Sequence, residues 1–181
     1  MGGVYNKLME EIKQFTEVGK VVFTTECYIV KDNKVLLFHR SPASKKFPDV
    51  LMCPGGHVDE GEDVLSSAIR EVKEETGIVV SKKEIRLKAQ ALHHHLDRGE
   101  AWIIFIYLVN LIKEPALKES DEGSLEWVPI EKALISDKVF QPVQYYFEHS
   151  LKDKPGVLYT NVELSGGKIT KILSNQTDTD Y

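Results

Sequence analysis

The stretch from Gly55 to Ile78 reads GGHVDEGEDVLSSAIREVKEETGI, and its second half decides the fold around it. Leu65, Ala68, Ile69, Val72 and Thr76 recur at the spacing of one helix face, so Glu62 to Thr76 is predicted as a helix packed on a sheet. Gly77 follows as a left-handed terminator. At about 100° per residue, Glu71, Glu74 and Glu75 crowd one side of this helix, beside the apolar stripe. Like charges at these spacings cost roughly a few tenths of a kcal/mol per pair, and they lie in the last turn, where the helix dipole disfavours anions. A cation is needed to offset this. Carboxylate oxygens with no cysteine or well-spaced histidine beside them select a hard ion, Mg²⁺ or Mn²⁺. The pair Gly55-Gly56 permits torsions and a close approach that a side chain would block, so a carbonyl of this turn is a further candidate ligand. Arg70 stands among the acids and suits a bidentate grip on one of them.

Working outward, β-branched runs at Lys20 to Val30 and Val35 to Arg40 flank Asp32-Asn33, which tolerate the positive φ of a hairpin turn. Ser41 to Pro48 reads as a surface loop, leading to a short strand near Val50 to Cys53. Beyond the helix, Ile85 to Leu96 and Ala101 to Ile112 read as long strands joined at Asp97-Arg98-Gly99-Glu100, the second apolar enough to be central. After a charged loop from Lys113 to Gly123 come a strand at Leu125 to Val128, a turn of helix at Pro129 to Leu134 and a second main helix at Val139 to Leu151. A last hairpin pairs Val157 to Leu164 with Lys168 to Leu173. The order of elements predicts an α/β domain over 20–173, preceded by an accessory helix within 1–19 (Leu8, Ile12 and Phe15 on one face) and followed by a frayed tail, 174–181.

Composition bounds the function. The 181 residues are 42% hydrophobic and 28% charged, the balance of a single soluble domain with a real core. A net charge of -5 without a basic block excludes a nucleic-acid backbone as main partner. The longest apolar run, Ala101 to Val109, falls well short of the ~20 residues of a spanning helix, so no membrane segment is expected. Cys27 and Cys53 have no metal-ligand spacing and no secretory leader is evident, which points to a reducing cytoplasm. Strand alternation sends His93 and His95 to one sheet face and His94 to the other, so the three cannot share an ion. Trp102, in an apolar strand, is read as core, and Lys45 and Lys46 as solvated loop charges.

From Gly56 to Ile78 the residues satisfy G-x5-E-x7-R-E-U-x-E-E-x-G-U, U being aliphatic, at every specified position. This is the signature of the Nudix hydrolase family, and the order of flanking elements extends the resemblance over roughly Val21 to Leu173. The resemblance implies an α/β/α sandwich on a mixed β-sheet that hydrolyses a nucleoside diphosphate linked to another moiety, using Mg²⁺ or Mn²⁺. On its pattern Glu71, Glu74 and Glu75 are metal ligands, Gly55 offers its carbonyl, and Arg70 and Glu62 orient the cluster. Glu74 or Glu75 either binds the metal or takes the proton from the attacking water. Outside the box, Glu122, five residues before Trp127, is the expected further catalytic and metal-binding glutamate, with Glu100 as second choice. Arg40, His57 and Phe140 are the expected substrate contacts.

The flanks resemble the MutT-type subgroup, which implies a (deoxy)nucleoside triphosphate cleaved to monophosphate and pyrophosphate. Met52 and the run Val139-Phe140-Gln141-Pro142 depart from members acting on oxidised guanine, which carry an asparagine and a Trp with paired Asp there. His94 replaces the proline of ADP-ribose members, and the catalytic cysteine of isopentenyl diphosphate isomerase is replaced by Gly55. An ADP-ribose or sugar-nucleotide diphosphatase, an isomerase-like enzyme and a non-catalytic nucleotide sensor remain the alternatives. The expected partner is a small nucleotide; many members of the family are dimers, so a homodimer is one expected state.

Overall fold

The computed structural model describes residues 19–43, 47–112, 115–118 and 123–178. The expected N-terminal helix, Lys45, Lys46 and Glu122 lie outside them.

Strands β1 (Lys20–Lys31) and β2 (Lys34–Arg40) form the expected hairpin, with Asp32 at φ 48° and Asn33 at φ 59° supplying the two left-handed residues of its turn. The two strands stay together for only three pairs, Lys31↔Lys34 to Ile29↔Leu36, and then part. Along one edge β1 continues beside β5 (Glu100–Asn110) in an unbroken parallel ladder from Lys20↔Glu100 to Val30↔Asn110. Past the split, β2 pairs with the two-residue β3 (Leu51–Met52) and, along its whole length, with β6 (Gly123–Pro129). β4 (Ile85–His95), β7 (Val157–Ser165) and β8 (Lys168–Asp178) extend the sheet in the order β3-β2-β1-β5-β4-β7-β8. The tail differs from expectation. β8 runs on through Ser174, and Asp178 is still in register with Val157, because β7 offers it a free edge.

Alternation along β1 divides the molecule into layers. Cys27 and Ile29 face α1 (Val64–Thr76), where Ala68 and Val72 are fully buried against them. Tyr28 faces the opposite layer, made by α2 (Ile130–Ala133), α3 (Gln141–Tyr145) and α4 (Phe147–Ser150) through Val143, Tyr146 and Phe147. The result is an α/β/α sandwich on a mixed sheet. None of the helices among the described residues is long and apolar enough to cross a membrane.

Helix α1 begins two residues later than its apolar pattern suggested. Asp63 caps it, accepting the N–H groups of Leu65 and Ser66 at 3.0 Å each, which leaves Glu62 outside the helix. Gly77, at φ 79°, ends it as predicted. The single helix expected from Val139 to Leu151 is instead two short pieces. Tyr146, at φ −89° and ψ −7°, interrupts them, because its buried hydroxyl is held by His93 Nε2 at 2.7 Å and Thr160 Oγ1 at 2.9 Å.

His93 is buried beside Tyr146, and burial, with the neighbouring His95 and His94, pushes its pKa down to about 3. Above the ordinary value of 6.5 the imidazole is neutral whether the chain is folded or not, and the His93 contact contributes fully. As pH falls below that value the unfolded chain takes up a proton that the folded one refuses until about pH 3. Stability therefore declines through this window by roughly 1.4 kcal/mol per pH unit from this group alone. Denaturant titrations should show His93→Gln gaining about 3 kcal/mol on the wild type between pH 7.5 and about 4.5. A constant difference between the two proteins would refute the assignment.

Candidate active site

Where β1 and β2 separate, the turn after β3 enters the gap. Cys27 N–H donates to Pro54 O (2.8 Å), Thr25 N–H to Gly56 O (2.9 Å), and Val58 N–H to Phe23 O (3.0 Å), so residues 54–58 run along β1 in place of the strand that left. Gly55 makes this docking possible. Its φ is 154°, and a Cβ there would lie 2.1 Å from the Thr25 carbonyl oxygen. Gly55 N–H turns the other way and donates to Glu75 Oε2 at 2.9 Å, which ties the turn to the last turn of α1. Its carbonyl takes no hydrogen bond among the described residues. Gly56 serves a different purpose, since a Cβ on it would stand 2.5 Å from Glu71 Oε1.

Arg70 joins the acids on the far side of the cluster. Its Nε and Nη2 bind Glu62 Oε1 and Oε2 at 3.1 and 2.8 Å, the bidentate grip that the residue type suits. Nη1 reaches Glu71 Oε1 at 2.6 Å and Glu74 Oε2 at 3.2 Å, and Nη2 also donates to the His57 carbonyl at 3.0 Å. The guanidinium is thereby held more firmly protonated than usual, and its bonds keep the Glu62 carboxyl below the ordinary range. Glu62 can do this only because the helix starts at Val64 and leaves it on the connecting turn.

Five carboxylates among the described residues, those of Glu62, Glu71, Glu74 and Glu75 and that of Asp59 at 3.6 Å from Arg70 Nη2, thus meet this guanidinium or the Gly55 N–H. Among the described residues no three His, Cys, Asp or Glu groups already converge at ligating distance. Arg70 draws Glu71 and Glu74 to itself, and Gly55 N–H draws Glu75. The donor set still suits a hard divalent cation: three carboxylate side chains from the end of α1, a Gly55 carbonyl that takes no hydrogen bond among the described residues, and a Gly56 whose lack of a Cβ leaves room for the Glu71 carboxylate. Gly56→Ala should therefore fold, because only a side chain must give way, yet bind Mn²⁺ about tenfold more weakly. Paramagnetic relaxation of water would measure this, and unchanged affinity would show that Glu71 needs no such space.

The other predicted residues are spread around this cluster. His57 lies on the turn itself, exposed, with its ring 5.6 Å from that of Trp102. Trp102 is only partly buried rather than a core residue, because it stands between His57 and His95, whose ring is 5.3 Å away. Its indole N–H donates to Glu100 at 2.9 Å, so this second-choice glutamate is turned towards the indole. His93 and His95 share a face, as alternation required, their rings 6.3 Å apart. Phe140 packs its ring on Phe47 at 4.8 Å, and Arg40 ends β2 opposite Gly123.

Sequence reasoning passed over Glu26. It sits on β1 with its Cα packed against Gly55, on the Tyr28 side of the sheet, and burial raises its pKa to about 7, opposed by a hydrogen bond from Tyr28. The signal was available: Glu26 is the one acid of β1, on the same face as Tyr28.

Comparison with known proteins agrees with this geometry. Over 104 residues the chain is 30% identical to the Nudix hydrolase YvcI of Bacillus subtilis, spanning 57% of this chain and 63% of that protein. Over 71 residues it is 49% identical to the m7GpppN-mRNA hydrolase NUDT17 of Xenopus laevis, spanning 38% of this chain and 24% of that one. The chain thus covers less than two thirds of the length of these curated relatives. Its backbone resembles the MutT protein from Bacillus halodurans with a TM-score of 0.69 at 26% identity, covering 88% of this chain and 99% of that one. The profile described as the NUDIX domain matches residues 23–149, which hold both the box turn docked on β1 and the helix carrying its glutamates, and the chain belongs to that family.

Proposed function

We propose that the protein hydrolyses a nucleoside diphosphate linked to another moiety, and most specifically a nucleoside triphosphate, to the monophosphate and pyrophosphate. The observation that carries this reading is the gathering of Glu71, Glu74 and Glu75 at the end of α1, the first two on Arg70 and the third on the Gly55 turn. A divalent ion held by these carboxylates and the Gly55 carbonyl would neutralise the bridging phosphates and acidify a bound water. Arg70 keeps the carboxylates of Glu62, Glu71 and Glu74 aimed, and the Gly55 N–H holds Glu75 beside the turn. His57, exposed on the turn, is the proposed substrate contact there. The isomerase alternative finds no support in the thiols. Cys27 and Cys53 are both buried and their thiols pushed up by burial, the opposite of what an exchangeable catalytic thiol needs.

The test is a product-resolved assay of the purified protein with Mg²⁺ against nucleoside triphosphates, ADP-ribose, sugar nucleotides and an m7GpppG dinucleotide. The last is included because of the identity to NUDT17. Monophosphate plus pyrophosphate from a triphosphate is expected. Turnover confined to another member of the set would keep the chemistry and replace the substrate, and folded, metal-loaded protein inert on all of them would favour the nucleotide sensor.

A further inference from the structure

Glu26 is an acid without a matching partner. Among the described residues no ion pair reaches it, and its one hydrogen bond, from the Tyr28 hydroxyl at 3.3 Å, is shared: the same hydroxyl lies nearer the Val143 carbonyl, at 3.1 Å. A largely enclosed carboxyl so poorly supplied with donors costs the fold free energy unless something else supplies them. Its place on β1 says where that something sits. Two residues along the strand, Thr24 bridges to His57 of the box turn, and Val22 beyond it is in register with Trp102. Val22, Thr24 and Glu26 share one face of β1, on which the rings of His57, Trp102 and His95 form a continuous row at 5.6 and 5.3 Å. From Thr24 to Glu26 is about 7 Å, close to the width of a purine.

We propose that Glu26 determines the base specificity of this site, accepting the N1–H and N2–H of a guanine whose ring lies beside the His57–Trp102–His95 row while its phosphates reach the Gly55 turn. In its ionised form the Glu26 carboxyl offers acceptors alone. Guanine presents two adjacent donors on its pairing edge, whereas adenine and cytosine set one donor beside an acceptor nitrogen and uracil sets one between two carbonyls. The proposal rests on the hydrolytic reading only for the position of the phosphates.

The experiment separates the two. Calorimetric binding of GMP, IMP, AMP, CMP and UMP to the wild type, Glu26→Gln and Glu26→Leu needs no turnover, and kcat and KM for GTP, ITP and ATP are measured in parallel. GMP should bind the wild type about tenfold more tightly than IMP, which lacks the N2 donors, and more tightly still than AMP. Glu26→Gln should lose about tenfold for GMP, and Glu26→Leu, confirmed folded by its thermal transition, should bind all five alike, the loss on GTP falling in KM rather than kcat. A wild type that does not prefer GMP, or variants that keep its ranking, would overturn the proposal. A GMP preference lost in Glu26→Leu, from a protein that hydrolyses none of the triphosphates, would sustain Glu26 and refute the hydrolytic reading.

Discussion

Glu75→Gln is expected to lower kcat on the best substrate by about a thousandfold or more while leaving the thermal transition within a degree or two of the wild type. The two halves of this expectation come from the same bond. Glu75 Oε2 accepts the Gly55 N–H at 2.9 Å, and a glutamine oxygen can accept it equally well, so the turn stays tied to α1. What glutamine removes is a full negative charge and a strong ligand for a hard cation. A fall in both activity and Mn²⁺ affinity, with the fold intact, would mark Glu75 as part of the chemical site. Activity within tenfold of the wild type would move the essential carboxylate elsewhere, Glu74 being the next to replace.

Gly55→Ala should have the largest effect on stability, about 4 kcal/mol lost in urea titration. A side chain at φ 154° is strained in itself, and its Cβ would lie 2.1 Å from the Thr25 oxygen and 2.9 Å from the Glu26 Cα, both backbone atoms of a central strand. The strand cannot retreat without breaking its ladder to β5, so the turn must leave. With it go the Cys27–Pro54 and Thr25–Gly56 hydrogen bonds, at roughly 1 kcal/mol each, and the tie to Glu75. Gly61→Ala is the control: it also has a positive φ, 79°, but nothing lies within 4 Å, so about 1 kcal/mol should be lost. Equal losses at the two sites would show that the turn is held less tightly than its contacts imply.

The contrast between these glycines also separates what could be read along the chain from what could not. The box pattern, the apolar stripe of α1, the Gly77 terminator and the Asp32-Asn33 turn are local in origin. Each depends on residues a few positions apart, whose spacing and φ preference act before any distant contact forms. The same spacing put Glu71, Glu74 and Glu75 on one side of α1. Nothing local revealed what they would face. That depends on β1 choosing β5 as a parallel neighbour and parting from β2 after three pairs, a choice made by residues some eighty positions away in the chain.

Elsewhere, too, long-range contacts overrode the local pattern. The apolar spacing from Val139 to Leu151 suits one helix, but the hydrogen bonds that tie the Tyr146 hydroxyl to His93 and Thr160 hold the chain out of it. The polar tail after Ser174 has no reason of its own to be ordered and is drawn into the sheet by the free edge of β7. Trp102 has a core residue's sequence context, yet the nearby turn and strand end leave it between two histidines. Glu26 is the clearest case. Its identity and inward phase were legible in the sequence, but the poor supply of donors around it, and the box turn beside it, exist only once strands far apart in the chain are side by side. The sequence by itself determined the helix, its Gly77 terminator and the kind of atoms the site would contain. The tertiary structure decided which of those atoms meet, because strand pairing and burial are settled between distant segments.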